Sequence, residues 1–444
     1  MILKSFRKFL FIFFLYTIIF FSIHIDPKAQ QNEINSVQEA IAIALKNNSS
    51  VIESRLERLK AEQRVSEVYS ENLLPEISLN SRYQRAIKKQ VFDIFGERFE
   101  IGSDNSFTNT IDVSESLPIL GTPVFAAIRI ADYFLKIQEQ NIAAAENNVK
   151  QRVKNSYYGV LLAKSIVEVN LLTQKNSEEN FNAVNAKYRN GVATEFDYLR
   201  ARVRVDNSVP ILSKSEKDLE ISRKVLLNEI GLKDVQDIGV LGELTYDSNE
   251  VWSNTDYMIN KIAENYIEVR QLEILRNINE ELVRVDKANY LPKLNIFGQY
   301  VLFSAEDDRQ PLNNYRFNNT LFVGLGIRWD LNLFRNSFKV NQSEIEVRKN
   351  TEQLAQLKQR IKLTSESALI AIEDAKERIR TRRGTVALAE RSLELANLSY
   401  AAGVINLIDV QAAELSLSES RLAYLQAIYD YQIAKAEIEK LLEQ

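Results

Sequence analysis

The chain contains no cysteine, and its one histidine, His24, lies close to the amino terminus. The first absence excludes disulfides, thiolate nucleophiles, Cys-bound metals and a lipidated N-terminal cysteine. The second leaves everything beyond residue 24 without an imidazole base or ligand. With only 2 methionines, a dedicated soft-metal relay is disfavoured too. Glycine (13) and proline (7) are scarce in 444 residues, so little interrupts a helix. There is no excess of basic charge: 60 acidic against 56 basic residues argue against nucleic acid as a partner. No carboxylate spacing matches a calcium loop or an acid/base pair. Gly324 and Gly326 lack the third glycine of a dinucleotide loop and lie in an alternating segment. No catalytic residue, cofactor or metal site is expected, and the chain does not read as an enzyme.

What is present begins with "MILKSFRKFLFIFFLYTIIFFSIHIDPKAQQ". Lys4, Arg7 and Lys8 precede an apolar run from Phe9 to Ile25. This is the layout of a secretory signal cut after Ala29, making residues 1–29 a signal peptide. A retained membrane anchor is the other reading of the same run.

The rest is written twice. "YRNGVATEFDYLRA" at Tyr188–Ala201 matches "YAAGVINLIDVQAA" at Tyr400–Ala413 in its Tyr, Gly-Val, Asp and Ala positions. Asn48 and Leu74-Pro75 have counterparts in Asn265 and Leu291-Pro292. The order in each half is helix, Leu-Pro, alternating segments, very long helix, Gly-Val turn, long helix. Features recurring in one order at nearly constant offset indicate duplication. The repeats are expected at 30–232 and 264–444, joined by a connecting segment at 233–263.

After each Leu-Pro the period falls to two. Ile77, Leu79 and Tyr83 alternate with polar residues, as do Phe107, Ile111 and Val113. In "TLFVGLGIRWDLNLF", Leu321, Val323, Leu325, Ile327, Trp329, Leu331 and Leu333 share a face opposite Thr320, Gly324, Gly326, Arg328, Asp330 and Asn332. Such alternation predicts strands with one apolar and one polar side, over about 76–117 and 293–333. A soluble sandwich could use them. Four strands, however, are too few to carry so much helix in a sandwich, yet each is long enough to cross a bilayer. Four cannot close a barrel alone, so several chains would have to share one.

From about Pro123 to Asn190 apolar residues recur at steps of three and four, among them Val149, Val153, Tyr157 and Val160. In the second half Leu354, Ile361, Ala368, Ile372, Ala375 and Ile379 do the same. Such a run predicts a helix on the order of 100 Å long, suited to a coiled coil or bundle.

In its duplicated plan and its two Gly-Val turns the mature chain resembles the TolC-like outer-membrane efflux channels. That resemblance implies a homotrimer, with four strands per chain forming one twelve-stranded transmembrane β-barrel. The long coiled-coil helices would continue as an α-helical barrel across the periplasm. It implies a passive exit duct of a tripartite efflux or type I secretion system, in the outer membrane with a long periplasmic extension. Partners would be a periplasmic adaptor and an inner-membrane pump of RND, ABC or MFS type, besides outer-membrane lipid. Gly191, Val192, Gly403 and Val404 would form the tip turns that meet the adaptor, and Asp409, Asp197 and Tyr400 the aperture. Trp329, Tyr83 and Tyr300 would mark the membrane interfaces. Ala412 and Ile405 stand where relatives often carry Asp and Arg, so one acidic ring and one gate contact are missing here. The bland reading of Asp197 and Asp409 is that they sit in a first helical turn as dipole partners.

"RIRTRRG" at Arg378–Gly384 reads as a solvated helix face. In the connecting segment Gly231 ends a helix, Ser253 or Asn254 would cap the next, and Trp252 would pack as core. Two rival readings are a coiled-coil envelope spacer or adhesin without a pore, and a periplasmic adaptor. The first has no use for four alternating strands, and the second has no duplicated strand pair.

Overall fold

The computed structural model describes residues 33–118, 122–233, 235–247, 250, 252, 256–308 and 311–442. The proposed signal peptide and the Ser253 or Asn254 cap lie outside the described residues. Two units make up the chain, and the longest helices contribute to both.

The first unit comprises residues 33–44, 153–245 and 382–429. Here α3 (Thr122–Arg189) ends and reverses into α4 (Glu195–Ile230), and α7 (Leu333–Ala401) reverses into α8 (Leu407–Leu442). Val153, Tyr157, Val160 and Val184 are buried along α3, as are Ala201, Leu226 and Ile230 along α4, and Val184 and Ala201 share one core. Each fully buried aliphatic contributes about 1.5–3 kcal/mol, so this stripe outweighs intrinsic propensity. It also carries α4 through Pro210, which lacks the amide proton an interior position normally donates. Short strands β1 (Glu33–Ile34) and β6 (Gly239–Val240) pair in parallel. The segment after β6 is pinned where the Tyr157 hydroxyl donates to the Leu241 carbonyl at 2.8 Å. Gly242, at φ +123°, leaves 3.2 Å between that hydroxyl and the place of a Cβ.

The second unit comprises residues 45–152, 246–381 and 430–444. Helices α1 (Val37–Asn47) and α2 (Ser49–Leu73) meet at Asn48, whose Oδ1 accepts from the Ser50 amide at 2.9 Å as an N-cap. Its sequence counterpart does something else. Between α5 (Asp256–Asn265) and α6 (Ile267–Ala288), Tyr266 is the N-cap, and Asn265 Nδ2 donates to the Lys261 carbonyl. The connecting segment is tied down at Glu250. Its carboxylate accepts from the Tyr431 hydroxyl at 2.7 Å and from Lys435 Nζ at 2.8 Å, and its carbonyl accepts from Lys376. Burial alone would raise the Glu250 carboxyl, but those two donors hold it below the ordinary value. Trp252 is half-buried.

Four strands of this unit form one antiparallel sheet in the order β2 (Glu76–Arg85), β5 (Asn105–Pro118), β7 (Lys293–Glu306), β8 (Asn318–Arg328). The register is continuous, from Glu76↔Ser114 through Pro118↔Lys293 to Lys293↔Arg328. Two expectations need correcting. Strand β8 stops at Arg328, so Trp329, Leu331 and Leu333 do not extend its apolar face. The chain turns at Asp330–Asn332, and the Asn332 carbonyl takes the first helical bond of α7 from the Asn336 amide. Nor are four strands all there is. The β2–β5 connection folds into a hairpin, β3 (Gln90–Ile94) with β4 (Glu97–Ile101). Its turn has positive φ at Phe95 (53°) and Gly96 (87°), the geometry that matches strand twist.

Candidate functional site: hairpin tips and sheet

Both helical reversals close in the same way. At the first, the Gly191 amide donates to the Tyr188 carbonyl and the Val192 amide to the Lys187 carbonyl, both at 2.9 Å. At the second, Gly403 donates to Tyr400 at 3.1 Å and Val404 to Ser399 at 2.9 Å. This paired pattern satisfies the last carbonyls of a helix and requires a left-handed residue, which Gly191 (φ 69°) and Gly403 (φ 75°) supply. It leaves Val192 and Val404 outermost, each 76% exposed.

The next helices start on carboxylates. Asp197 Oδ2 accepts from the Thr194 amide and hydroxyl, at 3.3 and 2.7 Å, while Thr194 Oγ1 accepts from the Asp197 amide. This is a complete capping box. Asp409 Oδ2 likewise accepts from the Asn406 amide at 3.1 Å. Both aspartates sit in a first helical turn, as the bland reading expected, and each also accepts the amide bond that caps its helix. Beneath them Val184, Ala201 and Leu407 form a small core, with Phe181, Ala193 and Tyr400 packed against it. Lys187 Nζ stands 4.3 Å above the Tyr400 ring, a cation–π contact the sequence reading missed. No hydrogen bond joins Asp197 to Tyr400 among the described residues; one Asp197 oxygen is held by Thr194. Further along, Glu414 of α8 faces Arg204 of α4 at 3.8 Å, with only 12% of its side chain exposed. Burial pushes the Glu414 carboxyl up, against the opposing pull of Arg204 and Asn180.

On the sheet, cross-strand pairing sorts residues into rows on two faces. One face is aliphatic: Leu117, Leu294 and Ile327; then Glu115, Ile296 and Leu325; then Ile77, Val113, Gly298 and Val323; then Leu79, Ile111, Tyr300 and Leu321. Half-exposed Glu115 is the exception, lying beyond the end of β2. Above these come Ser81 and Asn109, then Tyr83 and Phe107, whose rings lie 4.7 Å apart with Tyr315 edge-on to Phe107. At the opposite end the Trp329 indole donates to the Tyr290 carbonyl at 3.0 Å. Aromatic residues thus bracket the aliphatic rows. Among the described residues, the outer strands β2 and β8 each have one edge with no partner strand.

An outer membrane efflux protein family model matches residues 40–231 and 258–444. The chain belongs to the outer membrane efflux protein family. Membership places it among outer-membrane channels of transport, and the two matched segments reflect its internal repeat. Solved structures share the fold. A membrane protein from Pseudomonas aeruginosa is 17% identical at TM-score 0.74, covering 91% of this chain and 93% of its own. The Campylobacter jejuni CmeC outer membrane channel is 16% identical at TM-score 0.76, with coverages of 92% and 85%. The open state of the Neisseria gonorrhoeae MtrE outer membrane channel is 18% identical at TM-score 0.74, with coverages of 92% and 88%. Curated protein sequences yield no match.

In this outer membrane efflux protein no helix among the described residues is long and apolar enough to cross a membrane. The sheet is the element with a lipid-compatible face. Of the three expected interface aromatics, Tyr83 and Trp329 flank the aliphatic rows, whereas Tyr300 lies in the topmost of them. The "RIRTRRG" segment is an exposed helix face, where Arg378 pairs with Asp374 and Arg380 with Glu377. On the polar side of β8 the Phe297 ring fills the space over Gly324, 2.6 Å from the place of a Cβ, while nothing lies within 4 Å at Gly326.

Proposed function

We propose that this chain is a passive homotrimeric exit duct, each protomer giving β2, β5, β7 and β8 to one shared barrel. The observation that carries the reading is the open four-stranded sheet with one aliphatic face and two bare edges. An exposed sheet edge is a template for another strand. Because the strand number is even and the sheet antiparallel throughout, β8 of one copy runs antiparallel to β2 of the next. The seam between copies is therefore antiparallel whatever the number of copies in the ring. From Leu294 to Leu302 the strand rises about 27 Å, or about 20 Å of height at a tilt near 40°, close to the apolar band of such barrels.

On this reading residues 30–232 and 264–444 are the structural repeats, joined by 233–263. Val192 and Val404, held outward by their glycines, meet a periplasmic adaptor coupled to an inner-membrane pump of RND, ABC or MFS type. Asp409, Asp197 and Tyr400 line the aperture. An aspartate that caps a helix still presents its charge at the helix start, and three copies around a narrow axis would attract cations and repel one another.

The test is single-channel conductance of the purified protein in planar bilayers, with its mass measured in the same detergent. A trimer giving small, cation-selective, mostly closed channels is expected. A monomer or dimer without conductance overturns the shared barrel and favours the pore-less spacer. At the aperture, Asp409→Ala should raise basal conductance and weaken block by multivalent cations. Unchanged channels would leave Asp409 a cap alone.

A further inference from the structure

The polar face of the sheet is not polar throughout. One row joins Glu76, Ser114, Phe297 and Gly324, and the next joins Ser78, Asp112, Gln299 and Phe322. Two rings and two carboxylates thus share two adjacent rows of one face. Phe297 lies over Gly324, which explains its place as cover for a bare backbone. Phe322 has no such explanation: it is 52% exposed on the face a water-filled lumen would need polar.

The carboxylates are equally unaccounted for. Asp112 accepts from Gln299 Nε2 at 2.6 Å and from Asn80 Nδ2 at 3.5 Å, both neutral donors. Neither Asp112 nor Glu76 has an ion-pair partner among the described residues. On the polar face of the sheet the nearest cations are Lys293 and Arg328, two rows below Phe297, and Arg82, two rows above Asp112. These two rows therefore combine exposed aromatic faces with negative charge that no cation among the described residues of the same chain offsets.

We propose that they form a station on the lumenal wall for aromatic organic cations in transit, an inference that rests on the duct reading. Ring faces attract a cation through their quadrupole, and a nearby carboxylate supplies the counter-charge. A bare metal ion fits less well, because no cluster of oxygen ligands able to hold one occurs among the described residues. An anion would meet Asp112 and Glu76 as repulsion. A flat aromatic cation satisfies both rings and both carboxylates.

The experiment uses the full-length protein in planar bilayers, with ethidium added on the barrel side and anionic 8-anilinonaphthalene-1-sulfonate as the control. Ethidium should block the current. Phe322→Ser and Asp112→Asn should each weaken that block about tenfold, and Phe322→Tyr, which keeps the ring, should retain it. Block by the anion should not weaken in Asp112→Asn, which removes a repelling charge. Equal loss of block by both dyes, or undiminished ethidium block in Phe322→Ser, overturns the station. Single-cysteine variants test the reading beneath it, since the chain has no cysteine of its own. In proteoliposomes a membrane-impermeant maleimide should label Phe322→Cys but not Val323→Cys. The reverse pattern overturns the lumenal face itself, whereas correct labelling with unaffected block overturns only the station.

Discussion

At Gly191 and Gly403 the backbone is left-handed, yet nothing lies within 4 Å of where a Cβ would stand. The cost of substitution there is conformational and not steric. A β-branched residue should lose about 1–2 kcal/mol locally and reshape the reversal that presents Val192 and Val404. We therefore expect Gly191→Val and Gly403→Val to impair adaptor-dependent export while the trimer keeps its mass. Asparagine, which tolerates left-handed backbone, should restore much of the loss. Full export by both valine variants would remove the tip turns from the coupling surface. Glu414 supports a second expectation. Its raised carboxyl favours the folded state in the protonated form, so its contribution is present below the ordinary carboxylate value and is lost as pH rises through the raised one. Glu414→Gln removes the desolvated charge and should hold or raise stability at neutral pH, by on the order of 1 kcal/mol. The gap from the parent should close on acidification, as followed by thermal unfolding at a series of pH values. A loss at neutral pH would mean that attraction to Arg204 outweighs burial.

The elements differ in how openly the sequence announced them. Helices α3 and α7 were plain because their apolar steps continue for nearly seventy residues with almost no glycine to blur them. Strand β8 was plain from strict alternation, but its end was not. Trp329, Leu331 and Leu333 continue the pattern past the point where Asp330 and Asn332 start a helix. Strand β7 hid its wall chemistry, since Tyr300, Val301, Leu302 and Phe303 are apolar on both faces and alternation falls silent. The β3–β4 hairpin was missed because its strands are short and its turn carries Phe95 where asparagine or glycine is usual. The capping role of Asp197 could have been read directly, since Thr194-x-x-Asp197 has the spacing of a capping box. What three aspartates do around an axis is not written in one chain. A test at this scale contrasts neighbouring glycines. Gly324→Ala should displace the Phe297 ring and lower the melting temperature of the purified protein, whereas Gly326→Ala, with open space above it, should not. Equal effects would show that Phe297 does not depend on its bare partner.

For the whole molecule, closure of the ring through β8 and β2 of successive copies has a chemical test. Ser78→Cys combined in turn with a cysteine at Thr320, Phe322 or Gly324 should give covalent trimers on oxidation for at least one pairing. Each single-cysteine variant should run as a monomer in a denaturing gel. Absence of higher bands from every pair would argue that the strand edges do not meet.

A consequence for biogenesis follows from the connections at the far end of the sheet. All four strands start or finish next to a helix, so on the duct reading insertion would require only the β2–β5 and β7–β8 connections to pass through the hydrocarbon. Those two connections are rich in charge, which is costly to drag across a bilayer. They are also joined to one another: Lys89 contacts Asp104 and Asp307, Arg85 at the end of β2 contacts Asp308, and the Asp308 amide donates to Asp104. A sheet that enters the membrane with these contacts already made carries compensated pairs instead of bare ions. On the duct reading, the salt bridges at its leading edge would lower the barrier to translocation.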